Sequence, residues 1–146
     1  MTYGVVVSTN ELRRPDHTEL SHQSLIPARH LADVDYRLAR QTTLDLWRRG
    51  DLTRRKLCDA QPMLMRNAVE CGTRTAEACP VCTGDQLAYV TYVFGPRLPA
   101  HGRCISTEKE LVRLNARKSH LAAYVVEVCT SCGWNHLVRI TSLGEG

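Results

Sequence analysis

Aromatic side chains are scarce in this chain: one Phe, two Trp and five Tyr among 146 residues, with an apolar fraction of 43%. A core this thin is short of burial for its length, and a metal cross-link is a common supplement. No apolar run approaches the ~20 residues that span a bilayer; the one around Val5-Val6-Val7 is far too short. The N-terminus lacks a basic region followed by an apolar stretch and a small-residue cleavage site. The expected location is therefore the cytoplasm. A Ser/His/Asp set, a glycine-rich phosphate loop and a carboxylate pair are also missing, and His101 and His120 stand alone. No enzyme is expected.

Cysteine, by contrast, is plentiful. In a reducing compartment seven cysteines read as metal ligands plus free thiols, not as disulfides. Four of them form two Cys-x-x-Cys pairs, Cys79-Pro80-Val81-Cys82 and Cys129-Thr130-Ser131-Cys132-Gly133. Each pair supplies two thiolates from one tight turn, and Gly133 offers the positive φ that such a turn needs. Four thiolates make a closed, soft, tetrahedral shell with no open position, so the expected cofactor is one structural Zn2+ held by Cys79, Cys82, Cys129 and Cys132. Rubredoxin-like iron uses the same ligands, although Cys82 is followed by Thr83 and not by glycine. A dithiol oxidoreductase would need Cys79-Pro80-Val81-Cys82 to open a helix after a strand; here a disordered-looking linker precedes it and a strand pattern follows. His136, four residues after Cys132, is an alternative ligand or a hydrogen-bond partner to a sulfur. Cys58 and Cys71 read as small buried hydrophobes, and Cys104 as a free thiol in a polar loop.

Along the chain, residues 1–31 hold Pro15, Pro27, three histidines (His17, His22, His30) and no sustained period; an extended or disordered tail is expected. Residues 32–72 read as a helical unit. Tyr36, Ala39, Thr43, Leu46 and Trp47 recur at helical spacing from Asp33, and Gly50 stops the helix. Thr53 caps a short second helix, and Asp59 a third with Pro62 in its first turn and Leu64, Met65, Ala68 and Val69 inward. A helix-turn-helix reader fits this outline, but no helix shows base-reading side chains, so a helical cap packed on the rest is the simpler expectation. Residues 73–146 then read as a zinc-ribbon-like domain. It has a linker over 73–78, a strand over 87–94, a loop over 95–106, a helix opened by a Thr107/Glu110 capping box, and strands over 121–128 and 137–143. The fold class is α+β: a helical unit packed with an antiparallel sheet carrying an inserted helix.

The net charge of +4 is uneven: residues 29–56 alone carry eight basic and four acidic groups. Arg48, Arg49, Arg54, Arg55 and Lys56 straddle one helix junction. Five cations so close either meet an anion, of which phosphate is the commonest, or form a solvated helix end. Trp134, at a knuckle tip, either packs over the metal site, the usual arrangement, or faces a partner. Taken as a stacking group beside the patch, it leads to an expected function as a non-enzymatic adaptor for nucleic acid or for a machine such as RNA polymerase or the ribosome, with no membrane role. The alternative is a thiol-based redox sensor or an iron protein.

Leu57-Cys58-Asp59-Ala60-Gln61-Pro62-Met63-Leu64-Met65-Arg66, the Cys79–Cys82 pair, Tyr89-Val90-Thr91-Tyr92-Val93-Phe94-Gly95 and Tyr124 through His136 together resemble an uncharacterised family of small actinobacterial proteins, over about residues 33–143. The resemblance implies a cytoplasmic protein with two cysteine knuckles and no established activity.

Overall fold

The structure, a computed structural model, describes residues 34–144; the expected N-terminal tail lies outside the described residues. It is an α+β fold built on a six-stranded antiparallel sheet. In chain order come β1 (Val34–Asp35), α1 (Arg37–Arg48), α2 (Arg54–Leu57), α3 (Pro62–Glu70), β2 (Thr73–Ala78) and β3 (Gln86–Phe94). β4 (Arg103–Ile105), α4 (Glu108–Asn115), β5 (Leu121–Val128) and β6 (Asn135–Leu143) follow. Among the described residues no helix is long and apolar enough to cross a membrane.

Strand order is β1-β6-β5-β3, and the far edge of β3 is shared. β2 pairs with its first half (Thr73 opposite Tyr89) and β4 with its second (Tyr92 opposite Cys104). Both edge strands fall where the sequence predicts linker and loop. β2 reads Thr-Arg-Thr-Ala-Glu-Ala and is almost wholly exposed, so no buried alternation announces it; the free edge of β3 organises it instead. Where the β2 register breaks, Thr75 Oγ1 donates to the Leu87 carbonyl at 3.0 Å and fills the gap in the ladder.

Alternation along β3 sorts the helices onto two faces. Ala88, Val90, Tyr92 and Phe94 pack with Val126, Val128 and Leu137 beneath Leu64 and Ala68 of α3. Leu87 and Val93 point to the other face, at opposite ends. Leu87 joins Leu44 of α1, Leu57 of α2, Cys79, Val81, Cys129 and Trp134. Val93 joins Ile105, Leu121, Ala123, Leu143 and Leu114 of α4. Each fully buried leucine in these clusters contributes about 2 kcal/mol by leaving water.

Helix ends explain the remaining differences from expectation. The first helix starts at Arg37, after the two-residue β1, and Asp35 Oδ1 accepts the Arg37 N–H at 2.8 Å. Gly50, at φ +87°, closes that helix as predicted. In α3 the cap is Gln61, because Pro62 is suited to the first helical position; Asp59 instead accepts a hydrogen bond from Asn135 Nδ2 at 3.0 Å. Nine residues turn only one narrow stripe inward, so Val69 is 72% exposed and not in the core. The Thr107 cap forms, with Oγ1 accepting the Glu110 N–H at 3.2 Å.

Candidate metal centre

β5 runs antiparallel to β3, with Val128 opposite Ala88, so the end of β5 and the beginning of β3 share one end of the sheet. The turn after β5 and the turn before β3 therefore meet, and these are the two cysteine knuckles. They are built alike. In each, the first sulfur faces the N–H three residues on (Cys82 to Cys79, Cys132 to Cys129, both 3.5 Å). In each, the second accepts from the N–H two residues on (Gly84 to Cys82, Trp134 to Cys132, both 3.4 Å). Asp85 ties the knuckles together, its Oδ2 accepting from Thr130 Oγ1 at 3.0 Å.

The sulfurs of Cys79, Cys82, Cys129 and Cys132 all lie within 4.8 Å of one another. Cys82 and Cys129 are 3.6 Å apart and Cys79 and Cys132 3.7 Å. A tetrahedron with metal–sulfur bonds of about 2.3 Å has edges of about 3.8 Å, so these two separations already match the edges that four-sulfur coordination requires. Cys79 and Cys129 are buried, Cys82 and Cys132 half-buried. As free thiols they differ: burial pushes Cys79 up to about 11 and Cys132 higher still. The Gly84 N–H draws Cys82 down to about 7. A cation bound here must displace the protons of Cys79 and Cys132, so acid opposes its binding.

The left-handed position of each turn is occupied differently. Gly133 has φ +91°, and a Cβ there would lie 3.0 Å from the Cys58 carbonyl oxygen. In the first turn Thr83 takes this place at φ 54°, a conformation unfavourable for a β-branched residue by roughly 1–2 kcal/mol. Thr83→Gly is expected to raise stability by about 1 kcal/mol, read as a higher urea midpoint at unchanged m-value. A lower midpoint would mean that the threonine side chain contributes more than its backbone costs.

Around the knuckles the other expected residues fall out unevenly. Trp134 is a correction: its relative exposure is 0%, so it offers no face to a partner. α1 covers it, and its Nε1 donates to Glu127 Oε2 at 2.6 Å, the same oxygen that Arg40 Nε reaches at 2.6 Å. His136 stands outside the four-sulfur group. It stacks on Trp134 with centroids 5.8 Å apart, and burial lowers its pKa to about 4, keeping it neutral at physiological pH. Arg48, Arg49, Arg54, Arg55 and Lys56 are all exposed. Arg49 pairs with Asp51 at 3.1 Å and Arg48 sits 4.0 Å from Asp45; among the described residues Arg54, Arg55 and Lys56 show no ion pair.

Two features escape sequence reading. Cys58 sits beside the site, its Sγ 3.6 Å from that of Cys132. Cys104 is no loop thiol: it lies on β4 against the α3-side core, and burial, with Cys71 next to it, pushes it up to about 12. The Glu127–Arg40 pair had one sequence signal, a lone carboxylate inside the apolar run Tyr124-Val125-Val126-Glu127-Val128, which calls for a partner when both faces are covered.

A sequence-family model described as "Family of unknown function (DUF5318)" matches residues 28–146. Uncharacterised proteins of Mycobacterium bovis and Mycobacterium tuberculosis are each 40% identical over 111 residues, covering 76% of this chain and 81% of theirs. No solved structure matches.

Proposed function

The chain belongs to DUF5318, a family of unknown function, and from that premise we propose a cytoplasmic, non-enzymatic, zinc-ribbon-like adaptor that binds nucleic acid or a nucleic-acid machine such as RNA polymerase or the ribosome. Zinc is favoured because four thiolates in a closed tetrahedron suit a structural ion and leave no position for water or substrate. Seven free cysteines are at home in a reducing cytoplasm.

The observation that carries the binding reading is α2. Leu57 anchors this helix in the cluster that holds Cys79 and Cys129, while Arg54, Arg55 and Lys56 project into solvent. Three cations with no ion pair among the described residues, on a helix fixed to the cysteine-lined core, form a preorganised contact for phosphates. Fluorescence anisotropy with labelled duplex oligonucleotides, titrated at several salt concentrations, tests it. With those three cations making the contacts, log K should fall against log salt with a slope of about −3. Arg54→Glu/Arg55→Glu should abolish binding while leaving metal content unchanged. Salt-insensitive binding, or a charge-reversed protein that binds as before, would overturn the reading.

A further inference from the structure

Five thiols, not four, gather at the knuckle end of the sheet. Cys58 follows α2, and the segment after it lies against the second knuckle: the Ala60 N–H donates to the Gly133 carbonyl at 3.1 Å, and Asn135 Nδ2 reaches Asp59. That docking sets Cys58 Sγ 3.6 Å from Cys132 Sγ, van der Waals contact between sulfurs, while both residues remain half-buried. Within the four-sulfur group each thiol is committed to the shared site. Cys58 is committed to none.

We propose that Cys58 and Cys132 form a peroxide-responsive disulfide pair that opens the metal site, an inference that rests on metal being held by Cys79, Cys82, Cys129 and Cys132. The chemistry needs a hydroperoxide, with hydrogen peroxide as the simplest. Coordination would hold Cys132 as a thiolate despite its burial, and that sulfur attacks the peroxide; its S–O bond forms as the O–O bond breaks, sulfur loses two electrons, and hydroxide leaves. The Cys58 thiol then attacks the sulfenic sulfur; the S–S bond forms, the S–O bond breaks, and the hydroxyl departs as water with the Cys58 proton. One peroxide is reduced to one water and one hydroxide, and the two sulfurs are oxidised together to a disulfide. Cys132 can no longer coordinate, and a three-thiolate remainder holds the ion weakly.

Exposure selects the pair. Cys79 and Cys129 are buried away from a soluble oxidant; Cys82 is reachable, but its close sulfur neighbour is the coordinating Cys129. Cys132 also has Cys79 at 3.7 Å, yet that sulfur would have to leave the metal before attacking, whereas Cys58 would not.

The test uses the full chain as purified, with its metal, treated with limiting hydrogen peroxide. Metal release is followed with a chromophoric chelator, and disulfides are located by tandem mass spectrometry. Trypsin isolates Cys58 in the peptide 57–66 and Cys132 in 119–139, apart from the other pair in 75–97. The expected result is a 57–66/119–139 link through Cys132, appearing together with metal release and reversed by a thiol reductant. Cys58→Ser should bind metal as before but lose most of that reversibility, its Cys132 passing on to sulfinic acid. A link joining 75–97 to 119–139 would overturn the pairing, as would a 57–66 link through Cys129. If Cys58→Ser does not fold, the wild-type peptide map decides alone. A protein that carries no metal would refute the metal assignment independently, with the map still deciding the disulfide.

Discussion

Cys129→Ser is expected to abolish metal binding and unfold the knuckle end of the molecule. Cys129 is the most enclosed of the four sulfurs, with 0% relative exposure. It sits at the junction of β5 with the second turn and packs in the cluster that contains Leu44, Leu57, Leu87 and Trp134. A structural zinc contributes on the order of 10 kcal/mol to folding, against a total stability of about 5–15 kcal/mol for a domain. Losing one ligand therefore removes a contribution as large as the whole margin. Trp134 lies directly after this turn, so its emission should shift to the red as the turn opens, and elemental analysis should find no bound metal. Cys104→Ser is the control: that thiol touches the α3-side core, and its replacement should cost only about 1 kcal/mol with metal retained. A Cys129→Ser protein that melts like wild type and keeps its ion would show that the four-sulfur site does not hold the fold together.

What the sequence disclosed was local. β5 runs over Leu121–Val128 as predicted, because it is long, apolar and β-branched. The knuckles are legible because the cysteine spacing and the turn chemistry occur within five residues of chain. β2 and β4 are not legible. They are short edge strands, β2 almost wholly exposed and β4 with only three residues, whose pairing is decided by which half of β3 lies free, and no local composition encodes that. Trp134 as a stacking group fails for the same kind of reason: its place at a turn leaves both packing and partner contact open, and only the docking of α1 and α2 decides for packing. Cys58 carries no motif at all. Its place beside Cys132 comes from the bonds of Ala60 to Gly133 and of Asp59 to Asn135, contacts between segments more than seventy residues apart.

Arg40→Met is expected to cost about 3–5 kcal/mol, a loss comparable with breaking other buried ion pairs. Glu127 is 2% exposed, and its Oε2 accepts from both Arg40 Nε and Trp134 Nε1. Without the guanidinium, the carboxylate stays in an apolar surround with one neutral donor, and desolvation is no longer offset. Removing the carboxylate together with the arginine tests this account more sharply than either single change. Arg40→Met/Glu127→Leu should regain most of the lost stability, because the penalty belongs to the stranded charge and not to the absent bond. Urea midpoints of the four proteins close the cycle. A single replacement within about 0.5 kcal/mol of wild type would show that solvent reaches Glu127 and that the pair carries little. The result also bears on binding, since Arg40 clamps to the sheet the helix that leads into the junction carrying Arg48 and Arg49, with α2 beyond it. If binding depends on how firmly that junction is held, the double replacement should restore nucleic-acid affinity in step with stability. Affinity that ignores both changes would place the contact on α2 alone, held by Leu57 and the cysteine-lined core beneath it.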